Sequence, residues 1–265
     1  EPNNPTAHLK LGLYFHKRIN IEEAIEEYKK ALNLDPYNFN VYYNLGVANQ
    51  DLNLPERAIP YYERCIELKP SYDKAFFNLA LALQSQERYE EAIKVYEKAL
   101  GVNPDYAQGR VNLGLLYYAQ GMLDEALSQF QQALKTDPDL AEPHYLIGVI
   151  YGKKGMIEEA LQESQKALEL DPSHVHSRFN VATIYYMRGR LEEALKEYQK
   201  IIEQNRTYAD AYYNMAKIYE EKGMRGEAEN YLTQYNKVKA SQRDATGTLR
   251  KSIKEEEQLP GYYVE

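Results

Sequence analysis

Four acidic pairs, Glu22-Glu23, Glu90-Glu91, Glu158-Glu159 and Glu192-Glu193, are the residues here that most resemble an acid/base couple. Each pair opens an amphipathic stretch, where the positive end of a helix dipole favours negative charge, so a structural role is expected. His174 and His176 form an H-x-H, but no cysteine or third ligand stands at metal spacing. No metal site and no cofactor are expected. Asn205-Arg206-Thr207 matches a glycosylation acceptor with no sign of a secretory route. No activated nucleophile, phosphate loop or dinucleotide fingerprint occurs, and the chain is expected not to be an enzyme. The more informative chemistry is a line of amides: Asn44, Asn78, Asn112, Asn180 and Asn214 recur in one phase, with Lys10 and Leu146 in the remaining places. An asparagine amide donates and accepts. A row of them can therefore hydrogen-bond successive peptide groups of an extended chain while ignoring its side chains.

Composition narrows the classes of partner. The 32 Lys+Arg against 40 Asp+Glu leave a net charge of −8, which repels polyphosphates, and nucleic acid is not expected as a ligand. A hydrophobic fraction of 44% suffices for a continuous core. Cys65 is the single cysteine, so packing and not disulfides or structural zinc must hold the fold. No apolar run approaches the ~20 residues of a membrane span. The chain begins at Glu1 and shows no leader; a trimmed terminus could have carried an address, and the expected placement is cytoplasmic. With 26 tyrosines, 6 phenylalanines and no tryptophan, the aromatic usage suggests one position copied many times.

The elements that must position these residues follow from a period of 34. Pro36, Pro70, Pro104, Pro138 and Pro172 stand 34 apart. Counted from Pro5, seven units cover 5–38, 39–72, 73–106, 107–140, 141–174, 175–208 and 209–242, after a lead-in at 1–4. Apolar residues recur twice per unit at helical spacing, broken by a turn, which predicts an antiparallel helix pair. Gly121, Gly155, Gly189 and Gly223 hold the turn position, where positive φ is needed; Asn53 is a natural substitute, Ile19 and Glu87 less so. Small residues such as Gly12, Gly46, Gly114 and Ala58, Ala92, Ala126 permit close helix approach, while Tyr28, Tyr62, Tyr96, Phe130 and Tyr198 fill the holes.

This pattern, with Tyr42-Tyr43-Asn44-Leu45-Gly46 followed by Ala58, Tyr62 and Pro70, closely resembles the tetratricopeptide repeat across residues 5–242. The fold class implied is all-α: an α-solenoid of antiparallel helix pairs forming a right-handed superhelix, whose first helices line a concave groove for peptides or partner proteins. Ser164 where an aromatic normally sits, Cys65, Ile201 and Tyr235 for alanine, and Arg206 for proline depart from the pattern. The asparagine ladder is similar to that of the superhelical repeat region in O-linked N-acetylglucosamine transferases, where it grips substrate backbone. The carboxylate clamp of heat-shock co-chaperones, by contrast, needs lysine and asparagine where this chain has Leu9 and Leu13, Tyr43 and Val47, or Phe77 and Leu81.

At ~100° per residue, the fourth, seventh, eighth and eleventh positions of each first helix face inward, leaving the second, sixth, ninth and thirteenth outward with the fifth and twelfth beside them. The sixth carries the amides; the fifth carries Tyr43, Phe77, Tyr145, Phe179 and Tyr213, with Leu9 and Val111. Together they are the expected peptide-binding residues, although neighbouring units must cover part of each row. Residues 243–257 are expected to form a capping helix, and 258–265 a flexible tail whose Tyr262, Tyr263 and Val264 could dock on another copy. The function expected is a non-enzymatic interaction scaffold holding an extended peptide. The alternatives are a substrate-recruiting arm of a larger enzyme such as a glycosyltransferase, or a self-assembling repeat protein.

Overall fold

The computed structural model describes residues 3–249, with side chains as far as Gln242. Among the described residues all regular structure is α-helical, in two compact units, Glu1–Thr136 and Asp137–Glu265. In the first, α1 (Pro5–Lys17) packs on α2 (Ile21–Leu34), α3 (Phe39–Asp51) on α4 (Pro55–Leu68), α5 (Asp73–Ser85) on α6 (Tyr89–Val102) and α7 (Ala107–Ala119) on α8 (Leu123–Thr136). The second pairs α9 (Ala141–Lys153) with α10 (Ile157–Leu170), α11 (Val175–Met187) with α12 (Leu191–Gln204) and α13 (Ala209–Glu221) with α14 (Arg225–Leu249). Within each unit the second helix of one pair packs on the first helix of the next. The chain is an all-α helical-repeat solenoid.

Local chemistry explains where each helix begins and ends. The acidic pairs lie in the first turns of α2, α6, α10 and α12, where they meet the helix dipole. Every intra-pair turn contains one residue with positive φ: Gly121, Gly155, Gly189 and Gly223 at 69–76°, and Ile19, Asn53 and Glu87 at 64°, 57° and 58°. In each, the next amide returns to a carbonyl five residues back, as Asn20 N does to Phe15 O at 3.1 Å and Met122 N to Tyr117 O at 2.9 Å. That bond closes the helix end and holds even isoleucine and glutamate in the left-handed region.

The core of a pair is a ring laid on a bare backbone. Tyr28, Tyr62, Tyr96, Phe130 and Tyr198 are fully buried. A Cβ on Gly12 would come within 2.4 Å of the Tyr28 ring, on Gly46 within 2.4 Å of Tyr62, and on Gly114 within 2.6 Å of Phe130. Glycine is favoured at these three places by close approach rather than by backbone angle, since a Cβ would force the ring to shift. In the fifth pair Ser164 replaces the ring opposite Gly148.

α14 runs on through 242 without a turn, so no break separates the seventh pair from the start of the expected cap. The rest of that cap, 250–257, the tail at 258–265 and the side chains of 243–249 lie outside the described residues. Among the described residues no helix is long and apolar enough to cross a membrane, and no group of His, Cys, Asp and Glu could hold a metal ion.

Candidate peptide-binding face

First helices touch their counterparts from pair to pair, α1 with α3 and α3 with α5 in the first unit and α9 with α11 in the second, so each unit presents a first-helix face. On it the sixth-position amides are only partly available. Asn78 donates from Nδ2 to Tyr43 Oη at 3.1 Å, Asn112 to Tyr96 Oη at 3.3 Å and Asn214 to Tyr198 Oη at 3.0 Å; Asn44 donates to the Asn40 carbonyl at 2.7 Å. All four are half-buried. Burial pushes the Tyr43, Tyr96 and Tyr198 phenols above their ordinary pKa, so they stay protonated hydroxyls that accept from the amides. Asn112 also accepts from Gln108 Nε2 at 3.1 Å.

Asn180 corrects the expectation of an exposed ladder. It is 1% exposed, and neither its Nδ2 nor its Oδ1 has a hydrogen-bond partner. The helical wheel places the sixth position outside its own pair. It does not register that the second helix of the preceding pair, carrying Tyr96 for Asn112 and Tyr198 for Asn214, lies against that position.

The same reasoning corrects the aromatic row. Tyr145 and Phe179 are buried, Tyr43 and Phe77 half-buried, and only Tyr213 is exposed. Phe77 meets Tyr96 and Tyr106 with ring centroids 5.7 and 4.9 Å away, Phe179 meets Tyr198 and Tyr208 at 5.6 and 5.3 Å, and Tyr43 meets Tyr62 and Tyr72 at 6.1 and 5.1 Å. These trios seal the seam between successive pairs with edge-on and tilted contacts. Their third members, Tyr72, Tyr106 and Tyr208, escaped the sequence reading, although all end a 34-residue unit and so carry a phase that could have found them. Tyr145 packs instead on His174 and His176, at 5.1 and 5.8 Å. Tyr213 lies beside Tyr235, with the Lys217 ammonium 4.8 Å from its ring centre.

The histidines are structural. His174 caps α11, accepting from Ser177 N at 3.2 Å through Nδ1, and its Nε2 lies 2.9 Å from a Glu142 carboxylate oxygen. His8 and His144 each meet a glutamate of the second helix, Glu27 and Glu163, at 2.6 Å. A further regularity went unread: the fourth-position side chain can reach a carbonyl six residues upstream, as Tyr42 Oη does to Pro36 O at 3.2 Å and Arg110 Nε to Pro104 O at 3.1 Å.

What a ligand could meet differs between the units. In the first, Val47, Leu81 and Leu115 stay half-exposed beside Asn44 and Asn78; in the second, the equivalent Val149 and Thr183 are sealed. The Oδ1 atoms of Asn44, Asn78 and Asn214 accept no hydrogen bond among the described residues.

Models described as tetratricopeptide repeat match residues 39–72, 77–141, 141–174, 164–196 and 209–242, and one described as TPR repeat matches 20–53 and 182–223. No curated protein matches the chain. Among solved structures, MamA is 28% identical over 61% of this chain and 94% of its own, with a TM-score of 0.59. YrrB, described as a TPR protein with an unusual peptide-binding site, is 26% identical over 71% of this chain and 97% of its own, with a TM-score of 0.56. A tetratricopeptide repeat protein from Parabacteroides merdae, 17% identical, shares the fold over 88% of this chain and 93% of its own at a TM-score of 0.67.

Proposed function

The chain belongs to the tetratricopeptide repeat family and is a protein–protein interaction scaffold, and we propose that it holds an extended partner segment on its first-helix faces, chiefly that of the first unit. One observation carries this reading: the half-exposed amides of Asn44 and Asn78 are fixed through Nδ2, while their Oδ1 atoms have no protein donor. A pre-oriented acceptor beside half-exposed Val47 and Leu81 suits the N–H groups and alternate apolar side chains of an extended peptide. The ladder so read offers acceptors rather than complete amides. Asn214, beside the exposed Tyr213, repeats the arrangement in the second unit. The likeness to YrrB, itself described by a peptide-binding site, supports the same reading.

The test selects a binding peptide from a random library displayed against the full chain and measures its affinity by fluorescence anisotropy. Backbone N-methylation of that peptide at alternate residues should weaken binding about tenfold or more, as the loss of one or two hydrogen bonds implies. Asn44→Ala with Asn78→Ala should weaken it similarly. Indifference to both changes rules out backbone capture by these amides.

A further inference from the structure

The last pair departs from the repeat in two places that come together. At the ninth position, where the other units carry apolar residues or Thr183, the seventh carries Lys217. At the place of Ala31, Cys65, Ala99, Ala133, Ala167 and Ile201, each at most 1% exposed, it carries the half-exposed Tyr235. Tyr213 links the two. The rings that cover Tyr43, Phe77 and Phe179 stand nineteen and twenty-nine residues further along the chain; in the last pair those places hold Leu232 and Gln242. Tyr213 lies instead against Tyr235, with ring centroids 5.3 Å apart, and stays 38% exposed. Each ring has an ammonium near it: Lys217 Nζ is 4.8 Å from the centre of Tyr213, and Lys239 Nζ 5.9 Å from that of Tyr235. The two cations are unequally engaged. Lys239 lies 3.9 Å from an Asp210 carboxylate oxygen, and Glu221 accepts from the Tyr186 hydroxyl. Lys217 keeps its ring contact and has no carboxylate partner among the described residues. It is half-buried on the ligand-facing row, three residues beyond Asn214, whose Oδ1 accepts no hydrogen bond.

We propose, on the footing of the extended capture inferred above, that this patch reads an acidic residue in the partner. The segment held on the second unit places an aspartate or glutamate carboxylate on the Lys217 ammonium and an adjoining aromatic or branched apolar side chain on the Tyr213 and Tyr235 rings. A carboxylate supplies the counter-charge that this ammonium lacks, through a charge-assisted hydrogen bond that the ring contact leaves available. The exposed rings offer an apolar face to the neighbouring side chain. In the first unit the same row offers Val47, Leu81 and Leu115, which carry no charge, so the preference for an acid belongs to the second unit.

The test selects peptides from a displayed random library against the full chain and, in parallel, against its Lys217→Glu variant. Peptides recovered by the parent and not by the variant are expected to share an Asp or Glu beside an aromatic or branched apolar residue. Exchanging that acid for its amide should weaken anisotropy-measured binding to the parent about fivefold, and exchanging it for lysine should restore binding to Lys217→Glu. The amide exchange is read on the parent chain and is independent of how the variant folds. Tyr235→Ala, which gives this place the residue type of Ala31 and Ala167, should weaken binding about threefold. Asn214→Ala separates the two readings: tolerance of that change together with sensitivity to the amide exchange keeps the acidic preference and removes backbone capture at Asn214. The acidic preference is overturned if no peptide distinguishes parent from variant, if the distinguishing peptides share no acid, or if the amide exchange leaves binding unchanged.

Discussion

Asn214 Nδ2 donates to Tyr198 Oη at 3.0 Å, joining α13 to the core of the preceding pair, and the same hydroxyl lies 3.0 Å from Thr183 Oγ1. The offset of sixteen residues recurs in Tyr96 and Asn112. Where the sequence has Phe130, with no hydroxyl to offer, the residue sixteen on is Leu146, which breaks the amide series. Asn112 and Asn214 are therefore first partners of a buried phenol, and any service they give a ligand uses what that bond leaves over.

A double-mutant cycle on this bond has a definite expected outcome. Asn214→Leu and Tyr198→Phe each remove one side of a buried pair and should cost about 1–2 kcal/mol. The double variant, which copies the Phe130 and Leu146 combination, should cost less than the two singles added, by about 0.5–1.5 kcal/mol. Urea unfolding measures all three, and strict additivity would exclude the coupling.

Ile19 is a β-branched residue at φ 64° and 83% exposed, so its replacement alters the turn with little change in packing. Ile19→Gly should stabilise by about 1 kcal/mol, and Gly121→Ala, the opposite change in the equivalent turn, should destabilise by a similar amount. Thermal melts of the two variants should move in opposite directions.

Glycines of two kinds should respond oppositely to alanine. Gly46→Ala drives a methyl to within 2.4 Å of the Tyr62 ring and should cost about 1–3 kcal/mol. Gly101, in α6, has nothing within 4 Å of the place a methyl would take, and Gly101→Ala should stabilise by about 0.5–1 kcal/mol through helix propensity. Denaturation midpoints distinguish them.

Acid sensitivity should trace in part to Glu197. Burial alone would raise its pKa, but Lys200 and Arg178, each at 2.7 Å, hold it below the ordinary carboxylate range. A depressed folded pKa gives stability that is present above the unfolded value and lost as pH falls through the folded one. Arg178→Met leaves this carboxylate without one of its two cations and should cost about 3 kcal/mol at neutral pH. As pH falls from the ordinary carboxylate range through the depressed folded value, the gap to the parent protein should narrow, because the carboxyl becomes neutral in both. A gap that stays constant from pH 7 to pH 3.5 would rule out the pairing as its source.

The helix pairs were legible because their signals are local: glycine at a turn, acid at a helix start, small residues facing rings. Even Ile19 and Glu87, poor residues for positive φ, were readable from phase alone, since the helix-closing hydrogen bond imposes the conformation. The face was less legible. A wheel drawn for one helix gives its inward side within a pair and registers neither the His174 and His176 rings against Tyr145 nor the Tyr198 and Tyr208 rings against Phe179, and Asn180, Tyr145 and Phe179 are buried. Had the amides been compared with residues sixteen positions upstream, the Phe130 and Leu146 exchange would have exposed their structural role.

The distribution of turn residues gives unfolding a direction. Left-handed backbone rests on isoleucine, asparagine and glutamate in the first three pairs and on glycine in the last four. In a linear array whose members lean only on adjacent members, the weakest link sets where fraying begins. Amide protons of α1 and α2 should be the first to trade with solvent deuterium, and a protease should find its earliest cut near Ile19, well before the glycine-turned hairpins yield.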